Sequence, residues 1–370
     1  MVPSRSHHPF WMYEELVRAP DAVAQVLAPD EIERAHRDAI VARLIAARRV
    51  FLTGCGTALH AALAGAALLR DLTDGKVDAR AVQAFELANY ERGVPAADDA
   101  LIVFSHSGKP AATNAALASA RKNGAYCVTI TGDRESLAAR NADAVLDTGY
   151  GEVKSFAYTI SYSLMVAVMA ELAARAARQT GAEEAAASEA QVLRLAELHG
   201  AALELEGQGQ VRALAERLTA RDRFIFAGAG GNYANALEVA LKMQETNYSA
   251  SFGMEMEEVL HGPVAMLGDA VLVVIAPPGA GRTRALDLLR AARILESETV
   301  ALGEAGDVEL EGAADSFLAL PACPESLSVA PYHVPLHLLS YWLAVVKGTN
   351  PDLMRREDAR YLEARRSYTL

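Results

Sequence analysis

The chain has 370 residues, of which 52% are hydrophobic and 22% charged, and its formal net charge is −12. That length accommodates two or three domains with sizeable cores, and the acidic balance excludes a general nucleic-acid binder, which needs a basic surface. Cys55, Cys127 and Cys323 are far apart in sequence, with neither metal-ligand spacing nor a disulfide framework. The opening Met-Val-Pro-Ser-Arg-Ser-His-His lacks the apolar segment of a signal peptide. The most apolar stretches, residues 160–172 and 334–346, read as too short or too interrupted to span a bilayer. The expectation is a soluble cytoplasmic protein without a membrane partner.

Residues 10–48 have helical composition, with Pro20 expected to open a new helix and a further helix through residues 32–47. The pattern then changes. Arg49-Val50-Phe51-Leu52-Thr53 is a short apolar run, followed by Gly54-Cys55-Gly56-Thr57 and an Ala/Leu-rich helix. Ala100-Leu101-Ile102-Val103-Phe104 leads into Ser105-His106-Ser107-Gly108 and a helix from Pro110. Residues 126–130 lead into Thr131-Gly132-Asp133, and Ala144-Val145-Leu146 is one more short strand. Apolar strands alternating with helices predict a parallel sheet covered on both faces. Residues 175–220, rich in Ala, Glu, Arg and Gln, carry leucine stripes and read as linking helices.

The order then repeats. Phe51 to Gly56 resembles Phe226 to Gly230, with Leu63 and Leu237 at one offset beyond the second glycine. Leu101–Gly108 loosely matches Val271–Gly279, and residues 142–146 match 314–318. Three matches in order at a nearly constant separation indicate a duplicated α/β domain.

Two stretches carry chemistry. Ser105-His106-Ser107-Gly108-Lys109-Pro110 sits where a strand ends and a helix begins, a place where free backbone N–H groups and the helix dipole attract an anion. Thr57 is a second hydroxyl at a neighbouring strand end, where α/β sheets gather ligands. The loop is either a phosphate site or a serine-capped turn. It has no Walker order, and Gly54-x-Gly56 is too short for a dinucleotide fingerprint. The second stretch is Leu237–Pro263. Lys242 and Glu245 stand three apart on one helix face, and His261 follows just before Gly262-Pro263. This is either a surface ion pair with an incidental histidine or the equipment for moving protons on a carbonyl compound.

Other candidates read as structure. Cys55 fills a tight turn, His60 is packed, and His7 and His8 belong to a disordered terminus. His333 and His337 share a helical face, but their apolar neighbours mark core rather than a metal site.

Taken together, these residues resemble the sugar isomerase (SIS) domain family, with two SIS domains in tandem. The marks are Gly54-Cys55-Gly56-Thr57, Ser105-His106-Ser107-Gly108, Val153-Lys154-Ser155-Phe156, Ala240–Glu245, Glu258–Pro263 and Lys347-Gly348-Thr349-Asn350-Pro351-Asp352. The resemblance implies an α/β fold of two flavodoxin-like three-layer domains with parallel sheets. It sets N-terminal helices at 1–48, one domain at 49–178, linking helices at 179–220, a second domain at 221–350, and a tail at 351–370 that closes over the active site. It implies a metal-independent, cofactor-free enzyme acting on a phosphorylated amino sugar, working as a homodimer with shared active sites. Glu245 would move a proton between two carbons, Lys242 would lie against them, and His261 would open the sugar ring from the partner subunit. Thr57, Ser105, His106 (through its backbone) and Ser107 would hold the phosphate, with Gly56, Glu152, Lys154 and Arg366 as further substrate contacts.

The chain departs from the family pattern at Ala58 and Pro110, each replacing a hydroxyl donor, and at Glu152, which stands in for a hydroxyl ligand. Arg366 falls near a family lysine; an arginine stays protonated and forms no Schiff base. No glutaminase segment is expected ahead of residue 1, and ammonia supply from glutamine is not expected. The expected reaction is isomerisation of a hexosamine 6-phosphate with release of ammonia. The alternatives are a fructosamine 6-phosphate deglycase and a non-catalytic phosphosugar sensor.

Overall fold

The computed structural model describes residues 4–369. Its first helices are α1 (Trp11–Val26) and α2 (Glu31–Ala46), and Asp30 caps α2 by accepting from Glu33 N. The expectation that Pro20 opens a new helix is corrected, because α1 runs straight through it. Met12, Leu16, Ala19, Val23 and Val26 are all buried and recur at helical spacing on either side of the proline. Burying that stripe outweighs the local penalty of about 3 kcal/mol for an interior proline.

The chain continues through β1 (Val50–Gly54), α3 (Thr57–Leu72), β2 (Ala79–Gln83), α4 (Ala84–Asn89), β3 (Ala100–Phe104), α5 (Ala111–Lys122), β4 (Tyr126–Thr131), α6 (Leu137–Arg140) and β5 (Ala144–Asp147). These strands form one five-stranded sheet in the order β2-β1-β3-β4-β5, with every pairing parallel. Each residue of β1 and β3 is buried, as continuous apolar runs at the centre of a two-sided sheet must be. β2 escaped notice because it is an edge strand in which only Ala79 is buried. Helices α7 (Thr159–Thr180) and α8 (Ala185–Leu193) follow.

The linking helices are α9 (Leu195–Gly207) and α10 (Gln210–Arg217). Next come β6 (Arg223–Gly228), α11 (Asn232–Thr246), β7 (Ala250–Glu255), α12 (Met256–Leu260), β8 (Val271–Ile275), α13 (Arg282–Ile294), β9 (Thr299–Glu304), α14 (Val308–Ala313), β10 (Ser316–Leu320), α15 (Val329–Val346) and α16 (Ala359–Arg366). The second sheet has the order β10-β9-β8-β6-β7, again wholly parallel. Read from β7, it repeats the first sheet: second strand, first, third, fourth, fifth. That is the flavodoxin-like order, and it bears out the duplication.

After α11 the chain forms the edge strand β7 and the short helix α12. Ala-Ser-Phe-Gly-Met-Glu has one buried residue, so no apolar run announced it.

Equivalent glycines close the first strand of each sheet. A Cβ on Gly54 would lie 2.6 Å from the Ala58 carbonyl carbon, and one on Gly228 would lie 2.2 Å from the Asn232 carbonyl oxygen. Only glycine lets the next helix start so close to the strand end.

Two compact units divide the chain. One contains the first sheet, with residues 19–153, 160–196 and the tail from Arg355; the other contains the second sheet, with residues 197–354, 154–159 and the N-terminal segment up to Arg18. In the latter, Phe224, Phe226, Val273 and Ile275 pack with α11 and α15, while Ile225, Ala227, Leu272 and Val274 join the core under α13. Alternate residues of each strand thus feed opposite layers. His8 also belongs to this unit, against the expectation of a disordered terminus: its Nδ1 is 2.7 Å from Tyr341 Oη, and its ring is 4.9 Å from that of Trp342. Contacts with the Tyr13, Tyr341 and Trp342 rings and a phenol partner for its nitrogen hold this exposed side chain in place.

Helices α7 and α15 are longer than the sequence indicated, and by length and composition both could cross a membrane. Their most apolar windows are 94% and 89% buried within the protein, which makes them core helices here.

Candidate active site

Helix α11 turns an apolar face, including Ala236, Val239, Ala240 and Met243, into the core of its unit. Glu238, Lys242 and Glu245 recur at spacings of four and three, and so share one stripe. Lys242 is fully buried. Its Nζ donates to the Ala157 carbonyl at 2.6 Å and to Glu245 Oε2, and Glu238 Oε1 lies 3.5 Å away. Burial alone pushes this ammonium toward its neutral form, but Glu238 and Glu245 outweigh it, and the net displacement of its pKa is upward. The side chain of Glu245 remains 14% exposed. The result is a carboxylate with limited solvent contact, held against an ammonium whose charged form the two carboxylates favour.

Behind this stripe, His337 Nε2 is 3.7 Å from Glu238 Oε1. The His337 and His333 rings are 4.9 Å apart, and His333 and His199 are 5.4 Å apart. Burial holds both His333 and His337 well below the usual histidine range. They are neutral core residues.

His261 is placed differently. It follows α12 with a side chain 68% exposed, and its Nε2 lies 3.1 Å from Glu257 Oε1. Glu257 also pairs with Arg284 at 2.6 Å. Lys242 and Glu245 therefore meet in the core, whereas His261 stands at the surface.

The serine loop leaves the C-terminal end of β3. Ser105 Oγ accepts from Gly108 N at 3.0 Å, and Ser107 Oγ accepts from Lys109 N at 3.4 Å. Gly108 has φ +61°, and a Cβ there would strike Ser136 Oγ at 2.1 Å. Asn114 Nδ2 donates to the Gly108 and Pro110 carbonyls, both at 3.0 Å, and ties the loop to α5. The His106 carbonyl accepts from Gly132 N and Thr131 Oγ1, and its ring Nδ1 is 3.0 Å from Ser161 Oγ. Burial lowers the pKa of that ring. Pro110 caps α5 instead of entering its first turn. Gly56, with φ +56°, precedes Thr57 at the start of α3. Because β1 and β3 are paired and parallel, Thr57 and Ser105–Ser107 occupy adjacent strand ends, where ligands gather. Serine oxygens that accept from the loop keep their O–H donors for an anion.

Among the remaining candidates, Glu152 is exposed. Arg366 on α16 has a side chain 75% exposed and pairs with Glu363 at 3.5 Å. Lys154 Nζ lies 4.3 Å from the Trp11 ring centroid. The backbone of Lys154 is held from a direction sequence reasoning missed: Glu15 Oε1 accepts from Lys154 N at 2.6 Å and Ser155 N at 3.2 Å. Asp352 caps α1 by accepting from Trp11 N and Met12 N, and its carbonyl accepts from Phe156 N. Two separate sequence motifs are thus tied to α1.

Burial raises the Glu15 pKa to about 7, against the lowering effect of the Lys154 and Ser155 amides. The folded chain therefore holds the Glu15 proton to higher pH than the unfolded chain. The resulting stability is fully present below about 4.5 and is lost as pH rises through about 7. A Glu15→Gln variant cannot titrate. Relative to it, the wild-type chain is expected to lose roughly 3 kcal/mol between about pH 4.5 and pH 8. Urea unfolding of both proteins across that range measures the difference, and a flat difference contradicts the assignment.

A wholly parallel α/β unit, built twice, with a hydroxyl-rich turn at its strand ends, defines the class. The SIS domain matches residues 43–175 and again 217–347, one match to each sheet, and the chain belongs to the SIS domain family. It is 34% identical over 346 residues to the glutamine–fructose-6-phosphate aminotransferase (isomerizing) of Pyrococcus horikoshii, covering 93% of this chain and 56% of that protein. The chain thus spans little more than half the length of such curated relatives. The C-terminal domain of glucosamine-fructose-6-phosphate aminotransferase from Francisella tularensis superposes with a TM-score of 0.85 at 21% identity, covering 95% of this chain and 99% of that one. A glucosamine-6-phosphate deaminase from Thermotoga maritima superposes with a TM-score of 0.73 at 18% identity, covering 93% and 97%. These likenesses share the fold.

Proposed function

We propose that this protein is a cytoplasmic phosphosugar isomerase that deaminates an amino-sugar 6-phosphate, giving a ketose 6-phosphate and ammonia. The observation that carries the reading is the pairing of the buried Lys242 with the partly shielded Glu245. Moving a proton between carbons beside a carbonyl requires a base shielded from water and a positive charge for the enolate that forms. Glu245 supplies the base. It takes the proton from C2 of the open-chain amino aldose and returns one to C1. Lys242 faces the oxygen on which charge develops. The product of this transfer is an imine at C2, and water hydrolyses it to the ketone and ammonia. Ring opening precedes these steps and needs an acid–base group, a role assigned to the His261 imidazole.

Thr57, Ser105, Ser107 and the backbone at His106 are the proposed phosphate contacts, with Gly56, Glu152, Lys154 and Arg366 as further substrate contacts. Support comes from the Ser105 and Ser107 hydroxyls at the end of β3, from the place of Thr57 at the adjacent strand end, and from the phosphosugar names of the relatives. The decisive experiment offers a panel of amino-sugar 6-phosphates and measures ammonia and ketose phosphate together. Release of both in equal amounts is expected. Tight binding without turnover would instead make the chain a sensor. A Ser105→Ala/Ser107→Ala variant is expected to weaken binding of the phosphorylated sugar by about tenfold or more, one to two charge-assisted hydrogen bonds being lost. Calorimetry with the phosphorylated and free sugars checks this, and an equal loss for both ligands contradicts it.

A further inference from the structure

Glu238 has no role in the chemistry above, yet it is among the most deeply buried carboxylates of the chain, with no exposed surface. It sits one turn before Lys242 on α11, and its Oε1 is 3.5 Å from the lysine Nζ. Lys242 thus lies between two carboxylates, one with residual exposure and one with none. Their duties differ during turnover. When Glu245 receives a carbon-bound proton, its negative charge disappears. Lys242 would then lose the balance that Glu245 gave it, and a desolvated ammonium with less compensation favours its neutral form. A neutral amine stabilises an enolate far less than an ammonium does. A second carboxylate that takes no part in the proton transfer removes the difficulty.

We propose that Glu238 is a positioning residue for Lys242, a standing counter-ion that keeps the ammonium charged and in place while Glu245 cycles between its ionised and protonated forms. This rests on the reading of Lys242 and Glu245 as the proton-transfer pair. The groups facing Glu238 agree with it. On α11 these are Lys242 and Glu245. From α15, His337 approaches the same oxygen at 3.7 Å, with His333 beyond it and His199 of α9 beyond that. Burial keeps His333 and His337 neutral, so Lys242 is the cation that answers the Glu238 charge. The Ala157 carbonyl, 2.6 Å from Nζ, fixes the ammonium from a third side.

The test compares pH–rate profiles of the wild-type protein, Glu238→Gln and Glu238→Asp on the phosphosugar that the panel identifies. In Glu238→Gln the lysine loses one of its two carboxylate partners and deprotonates more easily whenever Glu245 is protonated. Its kcat is expected to fall increasingly as pH rises, with the basic limb displaced toward neutrality by about one pH unit or more. KM is expected to change little. Glu238→Asp keeps the charge and is expected to move the limb back toward the wild-type position. A Glu238→Gln profile parallel to that of wild type, or one identical to it, overturns the proposal, because a merely structural carboxylate would leave the limb in place. Should Glu238→Gln fail to fold, adding Lys242→Met removes the buried cation that has lost its Glu238 partner and is expected to restore folding; continued misfolding of the double variant overturns the proposal. The two readings also separate. Absence of turnover in the wild-type protein defeats the proposed reaction. The ion pairing is then judged by a stability cycle of Glu238→Gln, Lys242→Met and their combination, in which strong coupling supports it and additivity overturns it.

Discussion

Replacing Glu245 by glutamine is expected to lower kcat by at least about 100-fold while phosphosugar binding survives, because the change removes basicity and keeps shape. The geometry makes the prediction sharp. Glu245 Oε2 accepts from Lys242 Nζ, and a glutamine carbonyl oxygen can accept the same bond. The substitution therefore need not disturb the helix, the Ala157 contact or the Glu238 pair. What disappears is the carboxylate basicity needed to take up a carbon-bound proton. Steady-state kinetics and calorimetry on one preparation separate the two effects. Turnover within a factor of a few of the wild-type value removes Glu245 from the role of base. A parallel loss of binding would instead make it a ligand contact.

Much of the architecture was legible for a simple physical reason. Central strands of a two-sided parallel sheet must be apolar throughout, so β1, β3 and β8 stood out as runs of Val, Leu, Ile and Phe. The edge strands β2 and β7 face solvent along much of their length and offered no such run. The same limit applied within the site. Lys242 and Glu245 are charged residues three apart on an apolar helix, and their spacing alone placed them together. Glu238 was equally visible as a letter, but its complete burial depends on α15 packing over α11, which no local pattern reports. Asn114 escaped because it acts on backbone carbonyls, and a carbonyl leaves no trace in sequence. Glu15 and Asp352 lie more than 300 residues apart yet share the start of α1. That pairing follows from tertiary structure alone.

Mixing two inactive proteins, Glu245→Gln and His261→Ala, is expected to restore activity when they are unfolded and refolded together. Within one chain, His261 is 68% exposed, bonded to Glu257, and set at the end of α12. Gly262 then turns the backbone at φ +133°, and Pro263 starts a short 3₁₀ turn. If His261 opens the ring as proposed, its exposure, while Lys242 is wholly buried, suits service to a second copy of the chain. In a homodimer with shared sites, each pocket combines Glu245 of one protomer with His261 of the other. Each parent then has two pockets with one defect apiece. A mixed dimer concentrates both defects in one pocket and leaves the other intact. Random pairing makes half of the dimers mixed, so activity is expected to return to about one quarter of the wild-type level. Refolding matters because subunits of a stable dimer do not exchange by simple mixing. Mixed dimers that are shown to form, by a size or affinity tag on one parent, and yet stay as inactive as the parents would place His261 in the service of its own chain.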